Sequence, residues 1–147
     1  MQLSRHLVRY ALLSLLLAAC ADEATAPATP VLALSSTAGV YSIRFIDGRN
    51  LPVVVCSGDK VTSGSLRLRS DKTFLASVTF KSLSAPTSQT FQERGTYSRP
   101  SGTSRLDFLS TSRPGTTWKG SILSDGSIRV TYPVCGETHH AKLIRRP

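Results

Sequence analysis

The closest grouping of residues able to bind a metal ion lies near the C-terminal end of the chain. Cys135, Glu137, His139 and His140 lie close together in the sequence. Zinc ligands usually come in pairs such as Cys-x2–4-Cys or His-x3–5-His, and neither pair occurs here. Neighbouring residues of a strand point to opposite faces of a sheet, so His139 and His140 are not suited to share one ion. We therefore expect ordinary strand histidines and no metal site.

Patterns for covalent or phosphoryl chemistry are missing from the sequence. Serines are numerous, but none stands in a G-x-S-x-G segment, and there is no Gly-rich phosphate-binding loop or dinucleotide-binding pattern. Four aspartates fall in turn segments, where Asp is favoured for backbone reasons: Asp47, Asp59, Asp71 and Asp125. The sequence predicts a protein that is not an enzyme and holds no cofactor, with a hydrolase or metalloenzyme as the alternative.

Glu93 differs from these aspartates because it shares a predicted strand face with Phe91, Gly95 and Tyr97. A carboxylate on a buried face needs a charged or hydrogen-bonding partner. We expect Glu93 to form a structural ion pair with an arginine rather than to act as an acid catalyst.

The first twenty residues have the three parts of an export signal. Arg5 and Arg9 provide a basic start, an apolar run covers residues 10–19, and small residues precede Cys20. A helix needs about 20 apolar residues to span a bilayer, and this run is shorter because Asp22 follows closely. The sequence therefore predicts a cleaved signal peptide over residues 1–19 rather than a transmembrane helix.

The segment Leu17-Ala18-Ala19-Cys20 resembles the lipobox of bacterial lipoproteins. The resemblance implies that Cys20 becomes the first residue of the mature chain and carries diacylglycerol and a further acyl chain such as palmitate. Several buried acyl chains, at about 0.8 kcal/mol per CH₂, would hold the protein on a membrane. Ala21 after the cysteine, where an aspartate would imply retention, favours the outer membrane of a bacterial envelope over the inner one.

With Cys20 lipidated, Cys56 and Cys135 remain. The export signal places them in an oxidising compartment, where an even number of cysteines favours disulfides. A Cys56–Cys135 bridge would close a loop of about 80 residues and contribute on the order of 4 kcal/mol to stability. Two free thiols are the alternative.

Composition divides the rest of the chain in two. Residues 20–38 are rich in Ala, Thr, Ser and Pro, and Pro27 and Pro30 interrupt any helix, which predicts a flexible tether. Residues 39–147 have the length of one domain. Removing Arg5 and Arg9 with the signal peptide lowers the net charge from +9 to +7, and no block of like charges occurs. We expect a solvated basic surface and no nucleic-acid partner.

Alternation with a period of two dominates residues 39–147. Tyr41, Ile43 and Phe45 alternate with polar residues, and so do Leu66 and Leu68. Such alternation is typical of strands with one buried face and one wet face. Turn segments rich in Gly, Asp and Ser separate the strands, which we place near residues 39–46, 51–56, 64–70, 73–81, 91–99, 104–110, 116–123, 127–132 and 138–145.

Eight or nine short strands joined locally predict an all-β fold, an antiparallel up-and-down meander. A meander of this length leaves two exposed edges unless it closes into a barrel. The segment GSLRLRSDKTF (64–74) resembles the G-x-L-x-L-x-x-D-G-T-F hairpin of lipocalin-like domains in small bacterial lipoproteins. The segments YSIRFIDGRNLPVVV (41–55), GTYSR (95–99) and GTTWKGSILSDGSIRVTY (115–132) continue that pattern in order. The resemblance implies a small lipocalin-like barrel with, at most, a capacity to hold an apolar molecule.

An eight-stranded barrel is just wide enough to fill itself with side chains or to hold one small ligand. We expect any cavity to be lined by five aromatic residues: Tyr41, Phe45, Phe108, Trp118 and Tyr132. The sequence thus predicts a monomeric, non-enzymatic envelope lipoprotein, anchored to a membrane through Cys20, whose barrel binds a small apolar ligand or an envelope component. The alternative is a structural or protein-interaction lipoprotein with a filled barrel and no ligand.

Overall fold

Ten strands and almost no helix make up residues 36–55, 58–82 and 87–147, which are the residues that the computed structural model describes. The strands are β1 (Gly39–Ile46), β2 (Arg49–Asn50), β3 (Val53–Val55), β4 (Asp59–Leu68), β5 (Thr73–Lys81), β6 (Ser88–Ser98), β7 (Arg105–Ser110), β8 (Thr117–Ile122), β9 (Ile128–Val134) and β10 (Glu137–Arg145). The predicted signal peptide, Cys20, most of the predicted tether and Cys56 lie outside the described residues. Within the described ranges, no helix is long and apolar enough to span a bilayer.

Eight of these strands form a closed antiparallel barrel. Strands β4 to β10 follow one another as hairpins, and β1 closes the ring by pairing with both β10 and β4. Tyr41 of β1 lies opposite Arg145 of β10 on one side and opposite Leu66 of β4 on the other. The short strands β2 and β3 are additions that pair with the end of β1 and the start of β4. The predicted all-β meander and its closure into a small barrel are confirmed.

The alternation predicted for β1 breaks at Arg44. A β-bulge lies between Ile43 and Phe45 in the pairing with β10, and a bulge shifts every later side chain to the other face. Ile46 therefore joins the buried core, while Phe45 lies opposite Lys142 and belongs to neither apolar cluster of the barrel. The expectation that Phe45 continues the inner face of β1 is not met, because the bulge adds one residue.

Aromatic rings fill the centre of the barrel. Phe108 stacks on Trp118 with ring centroids 3.9 Å apart and planes 5° apart, and Phe74 meets both rings edge-on. All three side chains are at least 95% buried. Gly95 of β6 makes room for this packing, because a Cβ there would lie 2.0 Å from the Leu109 carbonyl oxygen and 2.7 Å from the Phe74 ring. The glycine therefore allows β7 and the Phe74 ring to approach β6 closely.

The two ends of the barrel are referred to below as the mouth and the entry end. At the mouth, β1 ends and β10 begins; at the entry end, the chain enters β1 and leaves β10. Two turns at the mouth have positive φ at both central residues, Asp47-Gly48 (49° and 77°) and Cys135-Gly136 (53° and 80°). This is the geometry of type I′ turns, which join antiparallel strands through two residues.

Candidate functional site

A buried carboxylate at the mouth is held by side chains from two other parts of the barrel. Glu93 of β6 is 6% exposed and lies on the inner face with Gly95. Arg113, in the loop between β7 and β8, donates from Nη2 to Glu93 Oε2 and to the Tyr132 hydroxyl. The Tyr132 hydroxyl in turn donates to Glu93 Oε2 at 2.8 Å. The ion pair predicted for Glu93 is confirmed, and its partner is Arg113.

The loop that carries Arg113 is fastened to β6 and β7. The Arg113 amide donates to Ser110 Oγ at 3.0 Å, and the Thr111 amide donates to the Arg94 carbonyl at 2.8 Å. The guanidinium carbon lies 5.6 Å from the centre of the Tyr132 ring, within the range of a cation–π contact. Arg113 is thereby positioned as a half-exposed cation above a buried carboxylate.

A second polar pair at the mouth joins β1 to β10. His139 Nδ1 lies 2.7 Å from Asp47 Oδ2, and the His140 amide donates to Asp47 Oδ1 at 2.8 Å. His139 is opposite Tyr132 in the β9–β10 register and shares its inner face, whereas the His140 ring lies 3.2 Å from Thr131 Oγ1 on the outer face. The two histidines point to opposite faces, as the strand pattern predicts.

Asp47 is held in its ionised form. Burial raises the pKa of Asp47, but the hydrogen bonds from the His139 ring and the His140 amide outweigh burial and leave the pKa below its ordinary value. A carboxylate that holds Nδ1 of an imidazole orients Nε2 for chemistry in many hydrolases. Among the described residues, however, His139 Nε2 has no hydrogen-bond partner. Glu137 Oε2 lies 3.8 Å from it, and no nucleophile in the described part of the chain is bonded to it.

Three buried polar atoms at the mouth have no hydrogen-bond partner among the described residues: Glu93 Oε1, Trp118 Nε1 and His139 Nε2. All three surround Tyr132. Its hydroxyl binds Glu93, its ring meets the Trp118 ring edge-on at 5.8 Å, and its backbone pairs with His139. Buried polar groups are nearly always hydrogen-bonded in folded proteins, to protein or to ordered water, so each of these atoms needs a partner that the described side chains do not supply.

An exposed aromatic residue lies beside these polar groups. Phe91 is on the inner face of β6, two residues before Glu93, and is 59% exposed. Its ring meets Phe80 of β5 edge-on at a centroid distance of 5.6 Å. The mouth therefore places an exposed aromatic ring on the same strand face as the buried Glu93 carboxylate.

The structure separates the five residues predicted to line a cavity. Tyr41, Phe108 and Trp118 belong to the central buried cluster, and Tyr132 packs against that cluster. Of these four, Trp118 and Tyr132 reach the polar groups of the mouth. Phe45 is in neither apolar cluster, because of the bulge in β1.

A groove of about 430 Å³ lies on the outer wall of the barrel. Leu75, Arg94 and Thr96 line it, and they point outward because they alternate with inward residues such as Phe74 and Gly95. None of the five predicted lining residues borders this groove. The groove is therefore separate from the site at the mouth.

Cys135 is the one cysteine of the predicted bridge that lies in the described part of the chain. Cys56 lies outside the described residues, so the Cys56–Cys135 bridge stays a prediction. Val55, the residue before Cys56, pairs with Asp59 at the mouth end of β4, and Cys135 lies in the β9–β10 turn at the same end. Among the described residues, no three His, Cys, Asp or Glu side chains are grouped so that they could hold a metal ion.

Sequence reasoning did not identify Asp47 or Arg113 as site residues. Asp47 carries a turn signal, and that signal explains its backbone but not its bond to His139. Arg113 stands in a Pro- and Gly-containing loop with nothing to mark its partner. The Asp-Gly turn after β1 was the available signal, because a two-residue hairpin places Asp at the rim of a closed barrel.

Comparisons of the chain with protein-family models, with curated proteins and with solved structures found no significant match. A function therefore has to be inferred from the residues of the chain itself.

Proposed function

We propose that this protein is a non-enzymatic bacterial envelope lipoprotein, anchored to a membrane through Cys20, whose barrel binds a small, largely apolar ligand at its mouth. The observation that carries the binding proposal is the set of unpartnered buried atoms, Glu93 Oε1, Trp118 Nε1 and His139 Nε2. Leaving such an atom unpaired costs about 1–3 kcal/mol, so a ligand that bonds to it recovers that free energy. Glu93 Oε1 accepts a hydrogen bond and the Trp118 indole donates one. The fitting ligand has a hydroxyl, amide or amine group attached to an apolar body.

Phe91 supplies the surface for the apolar body. Its side chain is 59% exposed, beside Phe80 and on the same strand face as Glu93. A ligand seated there covers apolar surface, at about 25 cal/mol per Å², while its polar group reaches the buried atoms.

The anchor is supported by the leader and by the lipobox-like segment that ends at Cys20. Intact mass spectrometry of protein purified from membranes tests it. We expect a chain that begins at Cys20 and carries acyl chains, recovered in the outer-membrane fraction. A mature chain with an unmodified Cys20 would refute the anchor.

Trp118 is the only tryptophan of the chain and lies next to the proposed site, so it serves as an internal reporter. We expect the apolar amine N-phenyl-1-naphthylamine to bind and to receive excitation energy from Trp118. Phe91→Ser should weaken binding at least fivefold because it removes the apolar wall. Leu109→Ser is the matched control, since Leu109 is 50% exposed and lies on the outer face of β7, between the inward residues Phe108 and Ser110. Equal binding by both variants would refute the site.

A second pair of variants tests the polar atoms. Glu93→Gln keeps the shape of the side chain but replaces one carboxylate oxygen by an amide, so the probe amine should bind more weakly. Asp71→Asn is the control, because its side chain is exposed and lies in the β4–β5 turn at the entry end of the barrel. Thermal unfolding of each variant establishes that it is folded. Unchanged affinity in folded Glu93→Gln would show that the carboxylate does not contact the probe.

A structural or protein-interaction lipoprotein is the second candidate function. The filled centre of the barrel favours it, because the Phe108–Trp118 stack leaves the aromatic side chains nearly fully buried. Native mass spectrometry of protein purified from membranes distinguishes the two functions. A small molecule bound to the purified protein supports the ligand-binding function. Protein that carries no bound molecule and does not bind N-phenyl-1-naphthylamine supports the structural function.

A further inference from the structure

Basic side chains are concentrated at the entry end of the barrel. The loops of this end, with the strand residue that borders each loop, contain six basic residues and two acidic ones: Arg69, Lys72, Arg99, Arg105, Arg145 and Arg146 against Asp71 and Asp125. The loops of the mouth, counted in the same way and with β2 and β3 included, contain three basic and three acidic residues: Arg49, Lys81 and Arg113 against Asp47, Asp59 and Glu137. The excess positive charge of the barrel ends therefore lies at one end.

Ion pairs do not remove this excess. Asp125 is neutralised by Lys142 at 2.9 Å, and Asp107 of β7 neutralises Arg105 at 2.8 Å. One acid and one base of the entry end are thus cancelled by strand residues. Arg69, Lys72, Arg145 and Arg146 stay exposed.

The chain enters the barrel among these basic residues and is fixed there. The Tyr41 hydroxyl donates to the Thr37 carbonyl at 2.9 Å, and Arg99 Nη1 donates to Thr37 Oγ1 at 3.1 Å. Arg145 Nη2 donates to the Ala38 carbonyl at 2.8 Å. The point from which the tether departs is therefore set by contacts within the barrel.

The position of this point sets how far each end of the barrel can lie from the membrane. This step rests on the proposed lipid anchor at Cys20. Each residue between Cys20 and Ser36 spans at most about 3.5 Å, so the entry end stays within roughly 60 Å of the lipid. The mouth can lie farther from the lipid than the entry end by the length of β1, which rises about 3.3 Å for each residue. The tether is thus long enough to bring the basic entry end to the bilayer, and the excess positive charge favours that end as the one that docks.

We infer that the entry end docks on the anionic headgroups of the phospholipid bilayer that holds the anchor, with the mouth turned away from it. Each Lys or Arg close to an anionic surface strengthens binding by about fivefold, which is the effect of about 1 kcal/mol. The attraction acts within a Debye length, about 8 Å at physiological salt, so it requires contact and weakens in high salt.

Vesicle binding tests this docking without the lipid anchor. The chain used is residues 20–147 with Cys20→Ser, and the vesicles are phosphatidylcholine with or without phosphatidylglycerol. We expect sedimentation with the phosphatidylglycerol vesicles only, and release in high salt. The triple variant Arg69→Ser, Lys72→Ser, Arg146→Ser should lower the partition coefficient by roughly 100-fold.

The matched control removes three charges from the mouth side: Arg49→Ser, Lys60→Ser and Lys81→Ser. It should change the partition coefficient by no more than about threefold, because those charges lie beyond a Debye length from the docked surface. Equal losses in the two triple variants would overturn the docking surface and leave only diffuse attraction. Binding that does not depend on phosphatidylglycerol would overturn it as well. The vesicle experiment uses protein in which Cys20 is replaced, so its result does not depend on lipidation. An unmodified Cys20 in the mass spectrum of protein purified from membranes would refute the proposed anchor without changing the vesicle result.

Discussion

Gly95→Ala tests the close packing on which the site at the mouth depends. The added Cβ would lie 2.0 Å from the Leu109 carbonyl oxygen and 2.7 Å from the Phe74 ring. Ordinary contact begins at 3.4 Å, so the backbone oxygen of β7 would have to move by more than 1 Å. Overpacking of a core costs about 1–3 kcal/mol when side chains yield, and a backbone carbonyl yields less readily. We expect Gly95→Ala to lower the free energy of unfolding by about 3 kcal/mol or more.

Gly39→Ala is the control for this substitution. Its Cβ would meet only the end of the Arg145 side chain, at 2.9 Å, and that side chain can rotate away. Replacement of glycine also stabilises a chain by about 0.4–1 kcal/mol through its unfolded state, so the net change should be within about 1 kcal/mol. Urea titration followed by the fluorescence of Trp118 gives both values.

A loss below about 1 kcal/mol in Gly95→Ala would refute the reasoning. It would mean that β6 and β7 separate at little cost, and that the Phe74, Phe108 and Trp118 rings are not held against β6. A large loss in both glycine variants would instead show that the assay reports glycine content rather than close approach.

Three further predictions concern single groups. Hydrogen bonds from Ser127 and Lys142 hold the pKa of Asp125 well below its ordinary 3.8, so Asp125 stabilises the fold above about pH 4. That stabilisation is lost as the pH falls through the folded-state pKa; Asp125→Asn should flatten the acid limb of the unfolding midpoint against pH. Tyr132→Phe removes a hydroxyl bound to Glu93 and should cost about 0.5–1.5 kcal/mol in urea unfolding, and no change would show that this contact is dispensable. Mass spectrometry of the unreduced protein should find both thiols of Cys56 and Cys135 protected, whereas alkylation of both would exclude the bridge.

The fold could be predicted because its signals are local. Leu66 and Leu68 alternate with polar neighbours along β4. Turn residues such as Asp125-Gly126, between β8 and β9, mark where strands end. An eight-stranded meander then has few ways to avoid exposed edges, and closure follows. The boundaries were less predictable. Strand β4 begins at Asp59 rather than near residue 64, because its first residues pair with β3, a partner that the alternation does not reveal.

The site was harder to predict because its contacts cross the barrel. Asp47 and His139 are 92 residues apart in the chain, and their contact depends on the register between β1 and β10. That register includes the bulge before Phe45, which no alternation indicates. Glu93 was the exception, since a carboxylate on an apolar strand face predicts a cationic partner without naming it.

The double pairing of β1 has a mechanical consequence. β1 is the strand that closes the barrel, since Gly39 to Ser42 pair with β4 while Tyr41 to Ile46 pair with β10. It is also the strand through which the chain enters the barrel. Tension applied to a lipid anchor would thus act along β1 and shear two ladders of hydrogen bonds at once, rather than peel one strand from an edge. If another envelope component held the barrel at its mouth, the β1–β4 and β1–β10 ladders would resist this pulling force.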